Sequence, residues 1–318
     1  MAPPHAPRPQ KRNAHQEASE EAPKTVILEC GHEVLDADQV HYCDYLGLTL
    51  LWNGEYGSTP FHKGKPRELL HHDERQFVAV HQMSEQCFEM VLFTLEAALT
   101  SIETGELREA ARLVERMSMY VKAARGVMRP LFTMRPEDFA QFRGGLGPAS
   151  GAESIQFRLI EIRSGLRADS PYAEMYGQTF GFREFLDRAP RAGEGPGYPK
   201  TRWWTALMTE ECERGRSLSS ALAERMRREE VELSAVLKAE CAHGSAQGKL
   251  WERWGGVIEA LRDYESQFLS LRALHVKIAE SQVGEADQGT GHTSGVPYLR
   301  SVCQTARFFP HLARSVSS

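Results

Sequence analysis

The chain has 318 residues, 41% hydrophobic and 25% charged, with a formal net charge of -5; this is the profile of a globular protein with room for a substantial core. Its mild acidity excludes the basic face that a nucleic-acid binder needs, and no run of about 18 apolar residues exists to span a bilayer. The six cysteines, Cys30, Cys43, Cys87, Cys212, Cys241 and Cys303, contain no CxxC pair, so neither a zinc or iron–sulfur site nor a disulfide framework is indicated, and reduced thiols in a cytoplasmic protein are expected.

Residues 1–25 are rich in Pro, Ala and charge and lack an apolar h-region. A disordered tail is expected there rather than a secretory signal, and residues 26–318 read as a single domain. From Phe77 to Leu99 the positions Phe77, Val80, Ser84, Cys87, Val91, Leu95 and Ala98 recur at three- and four-residue steps, the spacing of a buried helix. Asp73 is the predicted N-cap, with Glu74 complementing the positive helix end. Leu107 to Met128 carries a second amphipathic pattern, ended by Arg129-Pro130, and Ser154 to Ile162 starts another helix. The stretch 188–200 is a Pro/Gly loop. Trp204 to Lys238 and Lys249 to Val283 are predicted helical, the first of them dense in Arg and Glu at i,i+4 spacing. A Gly-rich loop, Gly284–Gly295, precedes a short helix from Val296. The fold class is all-α, a helical bundle.

Four places could carry chemistry. Phe77, His81, Glu85 and Phe88 share one helix face; a histidine on such a stripe is either a satisfied core residue or a functional one. His275 is again a lone histidine among apolar neighbours, Leu271, Leu274 and Ile278. A haem iron asks for one such axial imidazole in apolar walls, although a core histidine has the same surroundings. The loop Gly289-Thr290-Gly291-His292-Thr293-Ser294-Gly295 offers amide and hydroxyl donors that could close over a polar substrate end, or is a plain linker. Finally, Arg143 lies between Phe139, Phe142 and a glycine pair; arginine is the natural bidentate partner of a carboxylate.

In this order the stretches YCDYLGL (Tyr42–Leu48), HDERQFVAVHQMSE (His72–Glu85), DFAQFRGGLGPASG (Asp138–Gly151), IQFRLIE (Ile155–Glu161) and His275 with GTGHTSG (Gly289–Gly295) resemble the tryptophan 2,3-dioxygenase superfamily from about Tyr42 to the C-terminus. The resemblance implies a helical homotetramer with one haem b per subunit and O2 as co-substrate. It implies His275 as the axial iron ligand and His81 as the distal histidine facing the indole N–H. Phe77 would pack on the indole, Arg143 would clamp the α-carboxylate, and Phe139 and Leu146 would wall the pocket. Thr290 would contact the substrate ammonium or carboxylate, and Tyr42 and Tyr45 would reach a neighbouring subunit's site. The implied partner is a small molecule, tryptophan or a derivative, with neither nucleic acid nor membrane.

This chain departs from the superfamily pattern near the substrate. His292 replaces a loop glycine, one extra residue separates His275 from that loop, and Ala152-Glu153 stands where an aromatic and a glutamine are usual. Three functions follow from these residues. Dioxygenation of the indole C2=C3 bond to an N-formylkynurenine-type product comes first. Monooxygenation of tryptophan or β-methyltryptophan to a 2-oxindole in secondary metabolism is the alternative. A non-enzymatic haem sensor is the third, weakened because a sensor needs no amino-acid clamp such as Arg143 and Thr290.

Overall fold

The computed structural model describes residues 26–27, 33–34, 60–62, 65–146, 154–166, 216–240, 248–283, 295–305 and 307–312. The chain divides into two compact units, Met1–Gly57 and Ser58–Ser318. In the first, β1 (Val26–Ile27) pairs antiparallel with β2 (Glu33–Val34). The expected tail, Tyr42 and Tyr45 lie outside the described residues, as do the 188–200 loop, Thr290 and His292.

The second unit opens with another two-residue ribbon, β3 (Phe61–His62) with β4 (Lys65–Pro66). All its other regular elements among the described residues are helical, as the periodicity predicts. They are α1 (His72–Thr104), α2 (Leu107–Met128), α3 (Pro136–Arg143), α4 (Ile155–Ser164), α5 (Leu218–Arg228), α6 (Leu233–Ala239), α7 (Gly248–Val283) and α8 (Val296–Thr305). Short 3-10 turns follow α2 (Arg129–Thr133) and α3 (Gly144–Leu146).

The hub is α2. Both α1 and α7 pack along it. Its small residues permit the approach: Ala110, Ala111 and Ala124 are buried, and Gly256 of α7 faces the Ala111 methyl. Around them Val91, Leu92, Leu95 and Leu99 of α1 meet Val114, Met117 and Val121 of α2 in one core that continues to Ile258, Leu261 and Phe268 of α7. Each such side chain is worth roughly 1.5–3 kcal/mol of burial, which is why three long helices need no sheet behind them. Gly105 turns α1 into α2. Its φ of 84° is left-handed, its N–H donates to Ile102 O, and Glu106 N–H donates to Ser101 O, a helix-ending pattern that favours glycine.

Two local expectations are corrected. The residue capping α1 is His71, not Asp73: the His71 imidazole accepts the Asp73 N–H at 3.2 Å. Glu74 stands in the first turn as expected, and there it is fully buried, receiving the Arg67 guanidinium and the Leu70 N–H (2.8 Å). The helix predicted through Lys238 breaks into α5 and α6 because Glu230 adopts φ 55°, a left-handed turn that ends the hydrogen-bond ladder.

One end of the bundle is drawn together around the 3-10 turn after α2. Gln76, near the start of α1, donates to Pro130 O at 2.7 Å, and Gln282, at the end of α7, donates to Leu131 O at 2.7 Å. The first turns of α1 and the last turns of α7 are thereby held at the same end, with α3 in contact with both.

Candidate functional site

Two histidines lie toward that end. His81 sits in the third turn of α1 and His275 in the last third of α7. Each imidazole is half-buried by exposed area, yet the density of protein around it is that of the interior, and that density sets the cost of charging it. Burial is the main cause that lowers His81 below the ordinary histidine value, outweighing its hydrogen bond to Phe77. Burial also pushes His275 down to about 4, with the fields of His81 and Arg158 acting in the same direction. The field of His81 thus reaches His275. At neutral pH both are uncharged, the form in which an imidazole can ligate a metal or accept a hydrogen bond.

The orientation of His81 follows from α1. Its Nδ1 lies 2.7 Å from the Phe77 carbonyl oxygen. A carbonyl can only accept, so in the neutral ring Nδ1 carries the proton and Nε2 keeps its lone pair. The His81 ring also lies against Phe77, with centroids 4.2 Å apart. Phe77 in turn meets Phe139 at 5.8 Å and Phe142 at 5.6 Å, and those two rings form an edge-to-face pair at 5.3 Å. The sequence-predicted residues Phe77, His81 and Phe139 therefore share one aromatic wall. Its best-buried member is Phe142, named in the sequence only as a neighbour of Arg143 and given no role there.

Arg143 ends α3, half-buried, directly after Phe142. The chain then runs into the Gly144–Leu146 turn, where Leu146 packs on the core. A Cβ on Gly145 would collide with Leu70 and crowd Arg67, so glycine here lets the backbone after Arg143 press against the strap before α1.

On the other side of the wall, α4 supplies a buried ionic cluster. Arg158 and Arg272 share the carboxylate of Glu161, with Arg272 at 2.6 Å, and all three are under a tenth exposed. The Arg272 guanidinium lies 5.2 Å from the centroids of both Phe268 and Phe308. Arg272 is one helical turn before His275, so this cluster fixes the rotation of α7 that aims the imidazole. The stretch IQFRLIE carries it in sequence, but no local spacing links it to a histidine on another helix.

Among the described residues, no three His, Cys, Asp or Glu side chains converge on a bare metal ion, and no helix is long and apolar enough to cross a membrane. A porphyrin brings its own nitrogen donors and asks the protein for an axial imidazole within apolar walls. His275, kept neutral and neighboured by Leu271, Leu274 and Ile278, fits that requirement.

Residues 28–189 match the family model described as tryptophan 2,3-dioxygenase. The chain is 29% identical over 288 residues to a tryptophan 2,3-dioxygenase of Bacillus thuringiensis subsp. konkukian, covering 90% of this chain and 95% of that one. It is 28% identical over 276 residues to the Burkholderia cenocepacia protein of the same name (85% and 80% covered). A Bdellovibrio bacteriovorus protein of that name is 41% identical over 133 residues, 40% of this chain and 36% of that one.

Proposed function

The chain belongs to the tryptophan 2,3-dioxygenase family, and from that premise we propose that it uses O2 and haem b to open the indole ring of L-tryptophan or a substituted tryptophan, giving an N-formylkynurenine-type product. The observation that carries this reading is the pair of neutral histidines on two helices held at one end of the bundle, one of them with its tautomer assigned by a backbone carbonyl.

His275 would hold the haem iron. When bound, haem supplies the iron that activates O2, which is the hard part of the chemistry. The protein's own work is orientation and the exclusion of water. The lone pair on His81 Nε2 accepts the indole N–H and so selects the face and azimuth of the ring. Phe77, with Phe139 and Phe142 behind it, packs on the indole and keeps the gap dry. Arg143 binds the α-carboxylate, with Leu146 walling the same side. Because Nδ1 is committed to Phe77 O, His81 receives a proton only at Nε2, where the substrate nitrogen lies.

Thr290 and His292 would complete the polar end of the pocket, and Tyr42 and Tyr45 would do so from a neighbouring subunit of a cytoplasmic homotetramer. The departures at His292 and Glu153 favour a second reading, insertion of a single oxygen to give a 2-oxindole. The test is to mix reduced, haem-loaded enzyme with tryptophan and isotopically labelled O2, then weigh the product. Two labelled atoms support dioxygenation, one supports the oxindole reading, and no indole oxidation contradicts both.

A further inference from the structure

The carboxylate one turn after His81 has no part in the chemistry above, yet it is tied to another helix. The Gln156 side-chain amide donates to both the backbone carbonyl oxygen of Glu85 (3.0 Å) and its carboxylate (2.9 Å). The Ser154 side chain hydrogen-bonds the same carboxyl. Ser154 is itself the N-cap of α4, its Oγ accepting the Phe157 N–H at 3.2 Å. Glu85 is therefore tied to both the cap and the first turn of α4, and the tie closes a span of 71 residues.

The same turn of α4 reaches the other histidine's helix. The Phe157 ring sits between Phe88 of α1, at 5.3 Å, and Phe268 of α7, at 5.0 Å. Arg158 and Glu161 then engage Arg272, one turn before His275. This short helix is thus a spacer: fastened to α1 one turn beyond His81, to α7 one turn before His275, with an aromatic ring wedged between.

We infer that Glu85 and Gln156 are positioning residues that set the width of the gap between His81 and His275, by fastening the distal helix to the first turn of α4. The inference rests on reading that gap as the haem and substrate pocket. Three features support it beyond ordinary packing. The grip falls on the same helix face as Phe77 and His81, so a slip of α1 along or about its axis moves the His81 ring directly. Burial raises the Glu85 carboxyl above the ordinary carboxylate range in spite of its hydrogen bonds to Ser154 and Gln156; a group so desolvated is kept in place by specific partners rather than by solvent. And Phe157, in the same turn of α4, touches both Phe88 of α1 and Phe268 of α7, so the turn that Glu85 grips also spaces the two long helices.

The experiment compares wild-type, Glu85→Gln, Glu85→Leu and Gln156→Leu proteins, each loaded with haem and oxidised, by titration with imidazole, a small ligand that must enter the same gap to reach the iron. Thermal midpoints and tryptophan KM and kcat are measured alongside. Both leucine variants are expected to change imidazole affinity by about threefold or more, the scale of coupling between residues in one hydrogen-bond network, and to change kcat more than KM. Glu85→Gln retains an amide oxygen that still accepts from Gln156, so it is expected to restore imidazole affinity to within about twofold of wild type. Leucine variants that lose thermal stability while binding imidazole as wild type does would overturn the inference, since the pair would then be structural only. Should Glu85→Leu not fold, Gln156→Leu decides alone, because it leaves Ser154 on the carboxyl. A wild-type chain that takes up no haem would contradict the pocket reading itself, an outcome distinct from haem uptake with unaltered imidazole binding.

Discussion

Acid should destabilise the cofactor-free protein through His275, and the size of the effect can be worked out. In the unfolded chain this imidazole has the ordinary value of 6.5; in the fold, burial first and then the charges of His81 and Arg158 bring it to about 4. The unfolded chain therefore takes up the proton first. The stability is fully present above 6.5 and is lost as pH falls toward 4. At about 1.4 kcal/mol per tenfold change in proton affinity, lowering the pH from about 7.5 to about 4.5 should cost roughly 2–3 kcal/mol from this residue alone. His81 adds in the same direction, since burial lowers it too. The assay is urea unfolding of wild-type and His275→Leu proteins at both pH values, free of haem, because a bound iron would compete with the proton. Groups that do not feel His275 titrate equally in both proteins, so the difference between them reports His275 together with its coupling to His81. Wild type should lose the stated amount relative to the variant. If the difference is the same at both pH values, the imidazole is not held neutral by the fold, and the argument for its readiness to ligate fails.

Removing Arg143 as Arg143→Ala should raise KM for tryptophan by about tenfold or more, since the substrate carboxylate would be desolvated without its partner; an unchanged KM places the carboxylate elsewhere. Phe142→Ala should cost about 3–5 kcal/mol of unfolding free energy, because the ring is fully buried against Phe77 and Phe139 and leaves a cavity. A loss below about 1 kcal/mol in denaturant titration would mean the aromatic wall is not packed as described. Gly145→Ala places a methyl group against the end of the exposed Leu70 side chain, which can turn aside, so it should cost less than about 1 kcal/mol of stability while raising KM if the strap supports the clamp. A variant with wild-type KM would show that the strap does not support the clamp.

The sequence was most legible where the signal was local. The second helix ends at Met128 as expected because apolar periodicity runs unbroken into Arg129-Pro130, and Ser154 caps α4 as a serine before an apolar run should. The break between α5 and α6 was hidden, because Glu230 reaches a left-handed conformation without the glycine or asparagine that normally announces one. His71 displaced Asp73 as the cap because an imidazole nitrogen can also accept an amide proton, which side-chain preference scales rank low. Phe77, His81 and Phe139 were named from short motifs, and the fold brings those three rings together. The placement of the second histidine was not legible: His81 and His275 were two lone histidines, each more readily a core residue than a functional one, until α2 and its 3-10 turn held their helices at one end. The Glu85–Gln156 tie and the Arg158–Glu161–Arg272 cluster cross from helix to helix, so no spacing within one segment could have disclosed them.

The central claim is that His275 holds haem iron while His81 faces it across the gap. The measurement closest to that claim is a haem titration of wild-type, His81→Ala and His275→Ala proteins, followed by the Soret band and completed by adding free imidazole to the His275→Ala sample. The account predicts stoichiometric haem uptake by wild type and His81→Ala, its loss in His275→Ala, and partial recovery of the wild-type spectrum when imidazole fills the space left by the side chain. A His275→Ala protein that retains stoichiometric haem with an unaltered Soret band would contradict it.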